Sequence, residues 1–340
     1  MKKLCLHPRP YGVGGMVSFH HKLSAGLKAR GIDVTHDLED TPYDAVLVVG
    51  GTRHLARLRR IIKRGIPVVQ RLQGINWIHR KLRTGVRHFL RAEWGNWILA
   101  TIRSRLATGI VYQSEFVRGW WERAYGPTLV SHTVVHNGVD LEVYNPDGPG
   151  IPPEDRYRLL VVEGTLAGGY EMGLEHALDL AEGVARIIDR PVELMVVGRV
   201  AVSLRTSVEQ RAKVSLAWVG QVPQARIPEL DRSAHMLFSA DINSACPNAV
   251  IEAVACGLPV VAFETGALPE LVTGDAGLLV PYGGDPWALD PPDMNALVEA
   301  ASEILADQAR FRAGARVRAE AGLGLAVMVD GYLAALEGAL

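Results

Sequence analysis

Glu252 is the single carboxylate in an otherwise apolar helical segment, where it could accept hydrogen bonds from the hydroxyl groups of a ligand. A buried carboxylate is costly unless a partner donates hydrogen bonds to it, and a pair of ligand hydroxyls would serve. Periodicity alone leaves a second interpretation open, in which Glu252 lies at a solvated edge of its helix.

The elements that would position this carboxylate lie within residues 236–263. The pattern predicts a buried strand at 236–239, a polar loop, a helix at 249–256 with Asn248 as its N-cap, and a strand at 260–263. This order forms a right-handed crossover at the carboxyl edge of a parallel sheet, where open α/β folds bind ligands. The loop amides and the helix N-terminus would attract an anion.

A second candidate anion site lies at Gly14 and Gly15, between a strand predicted at residues 3–7 and a helix predicted at 16–30. Glycines at such a turn let backbone amides approach a phosphate closely. The turn, within residues 11–15, does not match G-x-G-x-x-G, so a dinucleotide-binding fingerprint is poorly supported. A simple tight turn stays open as the alternative.

Arginine recurs at helical spacing in two predicted helices of the first half. The residues are Arg53, Arg57, Arg60 and Arg64, then Arg80, Arg83, Arg87 and Arg91. In the second helix, within residues 77–98, apolar side chains lie away from the arginines, and Trp94 and Trp97 follow. Such a helix can lie on an anionic membrane surface, contact nucleic-acid phosphates, or present a solvated face. We expect a membrane surface or a solvated face, and no nucleic-acid partner.

The charge is divided unequally along the 340 residues, whose net charge is −1. Residues 1–150 hold 22 Lys and Arg against 11 Asp and Glu, a net of +11, whereas residues 151–340 hold 14 against 26, a net of −12. This asymmetry indicates different partners for the two halves. Three cysteines are too few for a disulfide framework and favour a reducing compartment. No secretory signal, long apolar run or metal-ligand spacing is visible, so we expect a cytoplasmic protein without a bound metal.

Strands alternate with helices in both halves, which predicts an α/β protein with two parallel-sheet, Rossmann-like domains. We expect an N-terminal domain at residues 1–148 and a C-terminal domain at 154–325, with a final segment, 326–340, packing back on the first domain. In the second domain a strand at 158–163 precedes a glycine-rich loop at 164–170. A strand at 192–197 ends at Gly198 and Arg199.

The order of these segments resembles the GT-B glycosyltransferases, specifically the retaining enzymes of glycosyltransferase family 4. The resemblance covers nearly the whole chain and rests on five motifs. They are Gly14-Gly15, residues 135–140 (VHNGVD), 246–262 (CPNAVIEAVACGLPVVA), 269–272 (PELV) and 277–281 (GLLVP).

The resemblance implies a nucleotide-sugar donor held mainly by the second domain and an acceptor held mainly by the first, with the two domains facing a cleft. Glu252 matches the second Glu of the family's Glu-x7-Glu motif, which binds the donor ribose, and we assign it the donor-positioning role in catalysis. The expected donor-binding residues are Gly14, Gly15, Thr165, Gly198, Ser244, Cys246, Pro247, Asn248, Ala249 and Glu252.

Three positions depart from the family pattern. Ser244 stands where the first Glu of the motif is expected, and Thr165 and Met172 stand where the family places Arg and Lys. Because fixed cations or amides stabilise the leaving diphosphate, two missing cations weaken the expected site. Arg199, Arg71 and Arg9 are candidates to replace them.

The resemblance implies retaining transfer of a hexosyl unit to an acceptor hydroxyl, in cell-envelope or exopolysaccharide glycan synthesis, without a cofactor or metal. The acceptor would be a sugar, a lipid-linked glycan or a polysaccharide, and the basic first domain would approach the inner face of the membrane. An alternative is a catalytically weakened GT-B protein that acts as a nucleotide-binding or regulatory partner. An NAD-dependent oxidoreductase also fits two parallel sheets but lacks the fingerprint.

Overall fold

The computed structural model describes residues 1–9, 11–12, 14–167 and 169–339. Val13 of the predicted turn at 11–15 and Gly168 of the predicted loop at 164–170 lie outside the described residues. The chain forms two compact units, Met1–Gly138 with Leu325–Leu340 (the first unit) and Val139–Gly324 (the second unit).

Both units are built from alternating strands and helices. The strands are β1 Lys3–His7, β2 Asp33–Thr35, β3 Ala45–Val49, β4 Val68–Leu72, β5 Gly109–Tyr112, β6 Ser131–Val134, β7 Tyr157–Leu166, β8 Val192–Val200, β9 Ser215–Gly220, β10 Met236–Phe238, β11 Val260–Phe263 and β12 Gly277–Val280. The helices are α1 Gly15–Ala29, α2 Leu55–Lys63, α3 Val86–Arg105, α4 Glu115–Tyr125, α5 Met172–Ile187, α6 Val202–Arg211, α7 Ile227–Arg232, α8 Asn248–Ala255, α9 Leu268–Leu271, α10 Met294–Ala306, α11 Gln308–Glu320 and α12 Leu325–Glu337.

Each unit contains a six-stranded parallel sheet. The strand order is β2-β1-β3-β4-β5-β6 in the first unit and β12-β11-β10-β7-β8-β9 in the second. Helices cover both faces of each sheet, so strands such as β3 and β11 consist of consecutive buried apolar residues. The prediction of an α/β protein with two parallel sheets is confirmed.

The last helix, α12, packs against α1 within the first unit. Gly26 makes this close approach possible, since a Cβ there would lie 2.4 Å from Cγ2 of Val329. Tyr332 of α12 packs on Phe19 with ring centroids 5.2 Å apart and accepts a hydrogen bond from Arg71 at 3.0 Å. Residues 325–337 therefore complete the core of the first unit.

The first unit ends earlier than the predicted boundary at residue 148. The amide of Val139 donates a hydrogen bond to the carbonyl of Leu323 at 2.9 Å, and Arg316 donates to the carbonyl of Tyr144 at 3.0 Å. Residues 139–148 are held by the second unit for this reason.

Two predicted segments differ in extent. The helix predicted within 77–98 is a short 3-10 turn, Ile78–Arg80, followed by α3, because Gly85 with φ 88° interrupts the chain before Val86. Strand β7 continues to Leu166, past the predicted end at 163, through an irregularity between Val162 and Thr165. Among the described residues no helix is long and apolar enough to cross a bilayer.

Candidate functional site

The N-terminus of α8 lies just beyond the carboxyl end of β10 and is open to an anion. Pro247 is the N-cap, no side chain caps the helix, and the first turn has no acidic residue. The first-turn amides of a helix have no intrahelical partner and bear partial positive charge. The prediction that Asn248 is the N-cap is wrong, because Asn248 is already the first helical residue.

The loop between β10 and α8 is held in place by the residues that follow β11. The amide of Ala267 donates to the carbonyl of Ser244 at 2.9 Å, and the amide of Asn243 lies 3.5 Å from Oγ1 of Thr265. Gly266, at φ 62°, lies so close that a Cβ would be 2.5 Å from the amide nitrogen of Ser244. A side chain at this position would displace the loop.

Two buried polar groups in this loop have no hydrogen-bond partner within the described residues. They are Nδ2 of Asn243 and Oγ of Ser244, both on residues that are about 5% exposed or less. Asn243 also has a left-handed backbone with φ 59°. Buried polar groups nearly always find partners, so such a pair next to a helix N-terminus indicates a place where a ligand or water completes the structure.

Glu252 is buried on α8, with only 6% of its surface exposed. The interpretation that placed it at a solvated helix edge is therefore wrong. Nε2 of Gln224 lies 3.5 Å from Oε1 of Glu252, which is a long contact for a hydrogen bond.

Glu252 influences two other buried groups of the second unit. Burial and the charge of Glu252 raise the pKa of Asp231 well above its usual value, although Arg232 and the Cys256 thiol oppose the shift. Burial and Glu252 also raise the pKa of the Tyr144 hydroxyl, which Gln224 opposes by a hydrogen bond. Asp231 and Tyr144 therefore favour their neutral forms.

Strands β7 and β8 bring further candidates to the same carboxyl edge. Thr165 is in register with Arg199, and the Thr165 hydroxyl donates to the carbonyl of Gly164 at 2.8 Å. Gly198 is required by close packing, because a Cβ there would lie 1.8 Å from the carbonyl oxygen of Glu163. Its φ of 131° also favours glycine. Arg199 is exposed.

Glu163 and Asp241 form an acid pair at this edge that sequence reasoning missed. Burial and the charge of Asp241 raise the pKa of Glu163 to about 8, and burial raises the pKa of Asp241 to about 7. Burial and the same two acids raise the pKa of Tyr170 to about 12. Glu163 lies in β7 and Asp241 follows β10. These two strands are adjacent in the sheet although they are far apart in the sequence. The signal available was that each acid stands near the end of a predicted strand.

The start of α5 packs against the same loop region. Met172 is the first residue of α5, and a Cβ on Gly173 would lie 2.8 Å from the carbonyl oxygen of Ala240. Eight predicted site residues thus lie along the carboxyl edge of the second sheet. They are Thr165, Gly198, Ser244, Cys246, Pro247, Asn248, Ala249 and Glu252.

The remaining predicted site residues, Gly14 and Gly15, belong to the first unit. Gly14 is the N-cap of α1 with φ 127°, and Gly15 is the first helical residue. Arg71, a candidate replacement cation, is buried in this unit. Its guanidinium donates to Asn137 at 2.9 Å and lies 3.8 Å from the Phe19 ring centroid, which argues against a role at the donor.

A segment of the second unit matches a known protein family. Residues 163–307 match the family described as Glycosyl transferases group 1. The chain is 28% identical over 199 residues to the alpha-maltose-1-phosphate synthase of Mycolicibacterium smegmatis, a match that covers 53% of this chain and 49% of that protein. The chain spans between 36% and 49% of the length of the curated relatives it matches.

Solved structures resemble the chain over its whole length. A sucrose-phosphate synthase from Thermosynechococcus elongatus aligns with a TM-score of 0.74 at 16% identity, covering 100% of both chains. Anabaena Alr3699/HepE, solved in complex with UDP and glucose, aligns with a TM-score of 0.70 at 16% identity, covering 99% of both chains. These likenesses show that the fold is of the GT-B type.

Proposed function

We propose that this protein is a glycosyltransferase that moves a sugar from a nucleotide-sugar to an acceptor hydroxyl. The observation that carries the proposal is the loop and helix from Asp241 to Ala255, which lie within the segment that matches Glycosyl transferases group 1. Within the part of the chain that the structure describes, this segment combines a helix N-terminus without a side-chain cap, two buried polar groups without partners and the buried Glu252.

The donor diphosphate is proposed to bind at the N-terminus of α8. The amides of the first turn would donate hydrogen bonds to its oxygens, and the Ser244 hydroxyl and the Asn243 side-chain amide would complete the contact. Glu252 would accept hydrogen bonds from the ribose hydroxyls, which would then replace the long contact from Gln224. Gly14 and Gly15, at the N-terminus of α1 in the first unit, stay predicted donor-binding residues.

Arg199 is proposed to supply the cation that Thr165 does not. It is in register with Thr165 on the neighbouring strand, and it is exposed at the carboxyl edge. A fixed cation near the leaving diphosphate stabilises the charge that develops as the glycosidic bond breaks. With Arg199 and the helix amides in this role, we propose retaining hexosyl transfer without a bound metal, and EDTA is expected to leave the rate unchanged.

A screen of nucleoside diphosphates and their sugars by thermal shift tests the donor assignment, since a ligand of the folded state raises its apparent stability. UDP is the first probe because a neighbour of the same fold was solved with it. The acceptor is proposed to be a sugar, a lipid-linked glycan or a polysaccharide. Sugar transfer by the purified chain would support the proposal, and the absence of any stabilising nucleotide would reject it.

A regulatory protein that binds a nucleotide without turnover is the second candidate. The substitutions at Ser244, Thr165 and Met172, which replace charged residues of the family pattern, favour it. Binding of a nucleotide-sugar with neither transfer nor hydrolysis would select this candidate.

We further propose that the first unit meets an anionic membrane, at the inner face, through the start of α3. Four apolar residues on one stripe of α3 are exposed. They are Val86, Leu90, Trp94 and Trp97. Arg87 and Arg91, also exposed, lie beside the stripe. An exposed apolar stripe with flanking arginines fits the interface of an anionic bilayer.

A further inference from the structure

The first unit contains a cavity of about 290 Å³ beside α1. Three successive turns of α1 line it with His20, His21, Ser24 and Lys28. Arg9, which follows β1, and His36, which follows β2, line its other side. The volume lies at the small end of the range for ligand pockets.

His20 is the buried polar group of this cavity. It is 4% exposed, and within the described residues neither ring nitrogen has a hydrogen-bond partner. The hydroxyl of Ser24, one turn further along α1, is also buried and has no partner among the residues that the structure describes. An imidazole with two unpartnered nitrogens is costly to bury, so the cavity is built around groups that a ligand would satisfy.

The charge of the cavity is positive. Arg9 and Lys28 are exposed cations, and none of the described lining residues is acidic. Burial, together with repulsion from His36, Arg71, His21 and His7, lowers the pKa of His20 to about 3. Nδ1 of His36 lies 2.7 Å from the carbonyl oxygen of Leu6. This contact fixes the orientation of the His36 ring, with Nε2 on the side away from Leu6.

We propose that this cavity binds a phosphate group, either free or as a small phosphate monoester. Neutral imidazole presents one N–H donor and one acceptor nitrogen, and a protonated phosphate presents both an O–H and acceptor oxygens. A carboxylate could only accept. Arg9 and Lys28 then balance the negative charge of the phosphate. This inference does not depend on the proposed glycosyltransferase activity.

The test measures binding of inorganic phosphate and of glucose 1-phosphate by calorimetry without any nucleotide. Lys28→Ala, an exposed position that should fold normally, is expected to weaken phosphate binding by about tenfold. His20→Leu should abolish binding, and His132→Ala, an exposed histidine of the first unit outside the cavity, should leave it unchanged. Tighter binding of glucose 1-phosphate than of phosphate would identify an ester as the ligand, and equal affinities would identify the free ion.

The variant Glu252→Ala tests whether phosphate binds in this cavity or at the proposed donor site. Phosphate affinity that survives Glu252→Ala but falls in Lys28→Ala supports the cavity, whatever becomes of nucleotide binding. Phosphate affinity that falls in Glu252→Ala and persists in Lys28→Ala would overturn the inference. A second readout is the NMR titration of His20, whose pKa should rise when phosphate is added because an anion opposes the repulsion from His36, Arg71, His21 and His7. An unchanged titration in saturating phosphate would also overturn it.

Discussion

Nε2 of Gln224 lies 3.5 Å from Oε1 of the buried Glu252, at the long limit for a hydrogen bond. Loose contacts of this length are easily exchanged for shorter ones. Ribose hydroxyls at hydrogen-bond distance would be stronger partners for a carboxylate, and this exchange is the basis of the first prediction.

Glu252→Ala should raise the Kd for UDP by about 10- to 100-fold, because the two proposed hydrogen bonds from the ribose to the Glu252 side chain are lost. Glu252→Gln should have a smaller effect, since one acceptor oxygen remains. Calorimetry on the purified chain measures both. The matched control is Glu299→Ala, an exposed Glu of α10 in the same unit. Equal affinities of Glu252→Ala and wild type for every nucleoside diphosphate tested would remove Glu252 from the site.

Arg199→Ala should lower the rate of sugar transfer by about 10²–10³, as expected for losing one group that stabilises developing charge. The Kd of the nucleotide-sugar should change much less than the rate. Arg186, exposed in the last turn of α5, provides the control variant Arg186→Ala. An unchanged rate of sugar transfer in Arg199→Ala would show that other groups stabilise the charge of the leaving group.

The acid pair Glu163 and Asp241 should make stability depend on pH. Their pKa values, about 8 and about 7 in the folded protein, exceed the ordinary 4.5 and 3.8, so the folded state holds protons that the unfolded state has released. Their contribution to stability is therefore present below about pH 4 and is lost as pH rises through 8. The free energy of unfolding of Asp241→Asn, measured relative to wild type at the same pH, should be higher at pH 9 than at pH 5 by about 1 kcal/mol or more. Denaturant unfolding at the two pH values measures this, and Glu299→Gln should show no such gain.

Gly198→Ala should lower the free energy of unfolding by about 3 kcal/mol or more, because the Cβ would collide with the carbonyl of Glu163. Gly164→Ala is the matched control, since a Cβ at Gly164 would meet nothing within 4 Å. It should change stability by only about 0.5 kcal/mol. Similar midpoints for the two variants in urea would contradict the close packing of β7 and β8.

Leu90→Ser combined with Trp94→Ser should abolish co-sedimentation with vesicles that contain an anionic lipid. Wild-type binding should weaken with salt and disappear with neutral vesicles. Leu90 and Trp94 are 63% and 53% exposed, so their replacement should not unfold the protein. Leu129→Ser removes an exposed leucine of the first unit outside α3 and should bind as wild type does. Persistent binding of the double variant would place the membrane surface elsewhere.

The fold was predictable because its signals are local. In the second unit, β11 was predicted with its observed bounds, and β10 and α8 were each predicted to within one residue. Apolar runs between turn residues determine such elements. Asn248 was misassigned as the N-cap because the helix begins one residue earlier than predicted, with Pro247 at the N-cap position.

The candidate site was only partly predictable because its unpredicted parts depend on long-range contacts. Glu163 and Asp241 are 78 positions apart in the printed sequence and interact because β7 and β10 are neighbours in the sheet. The burial of His20 likewise depends on His36 and the strands beneath α1, which periodicity along α1 alone does not reveal. The exposure of Leu90 was not predicted, because amphipathic spacing does not tell whether an apolar stripe faces a core or a lipid surface.

The contact between Gly26 and Val329 joins helices about 300 positions apart in the printed sequence. During synthesis the strands of the first sheet therefore leave the ribosome long before α12, the helix that completes the core of the first unit. Until then Phe19 and Leu23 lack part of their apolar cover, and nascent chains should depend on chaperones at that stage. A chain cut before Leu325 should bind a hydrophobic dye and be degraded quickly, even though every strand of both sheets is present.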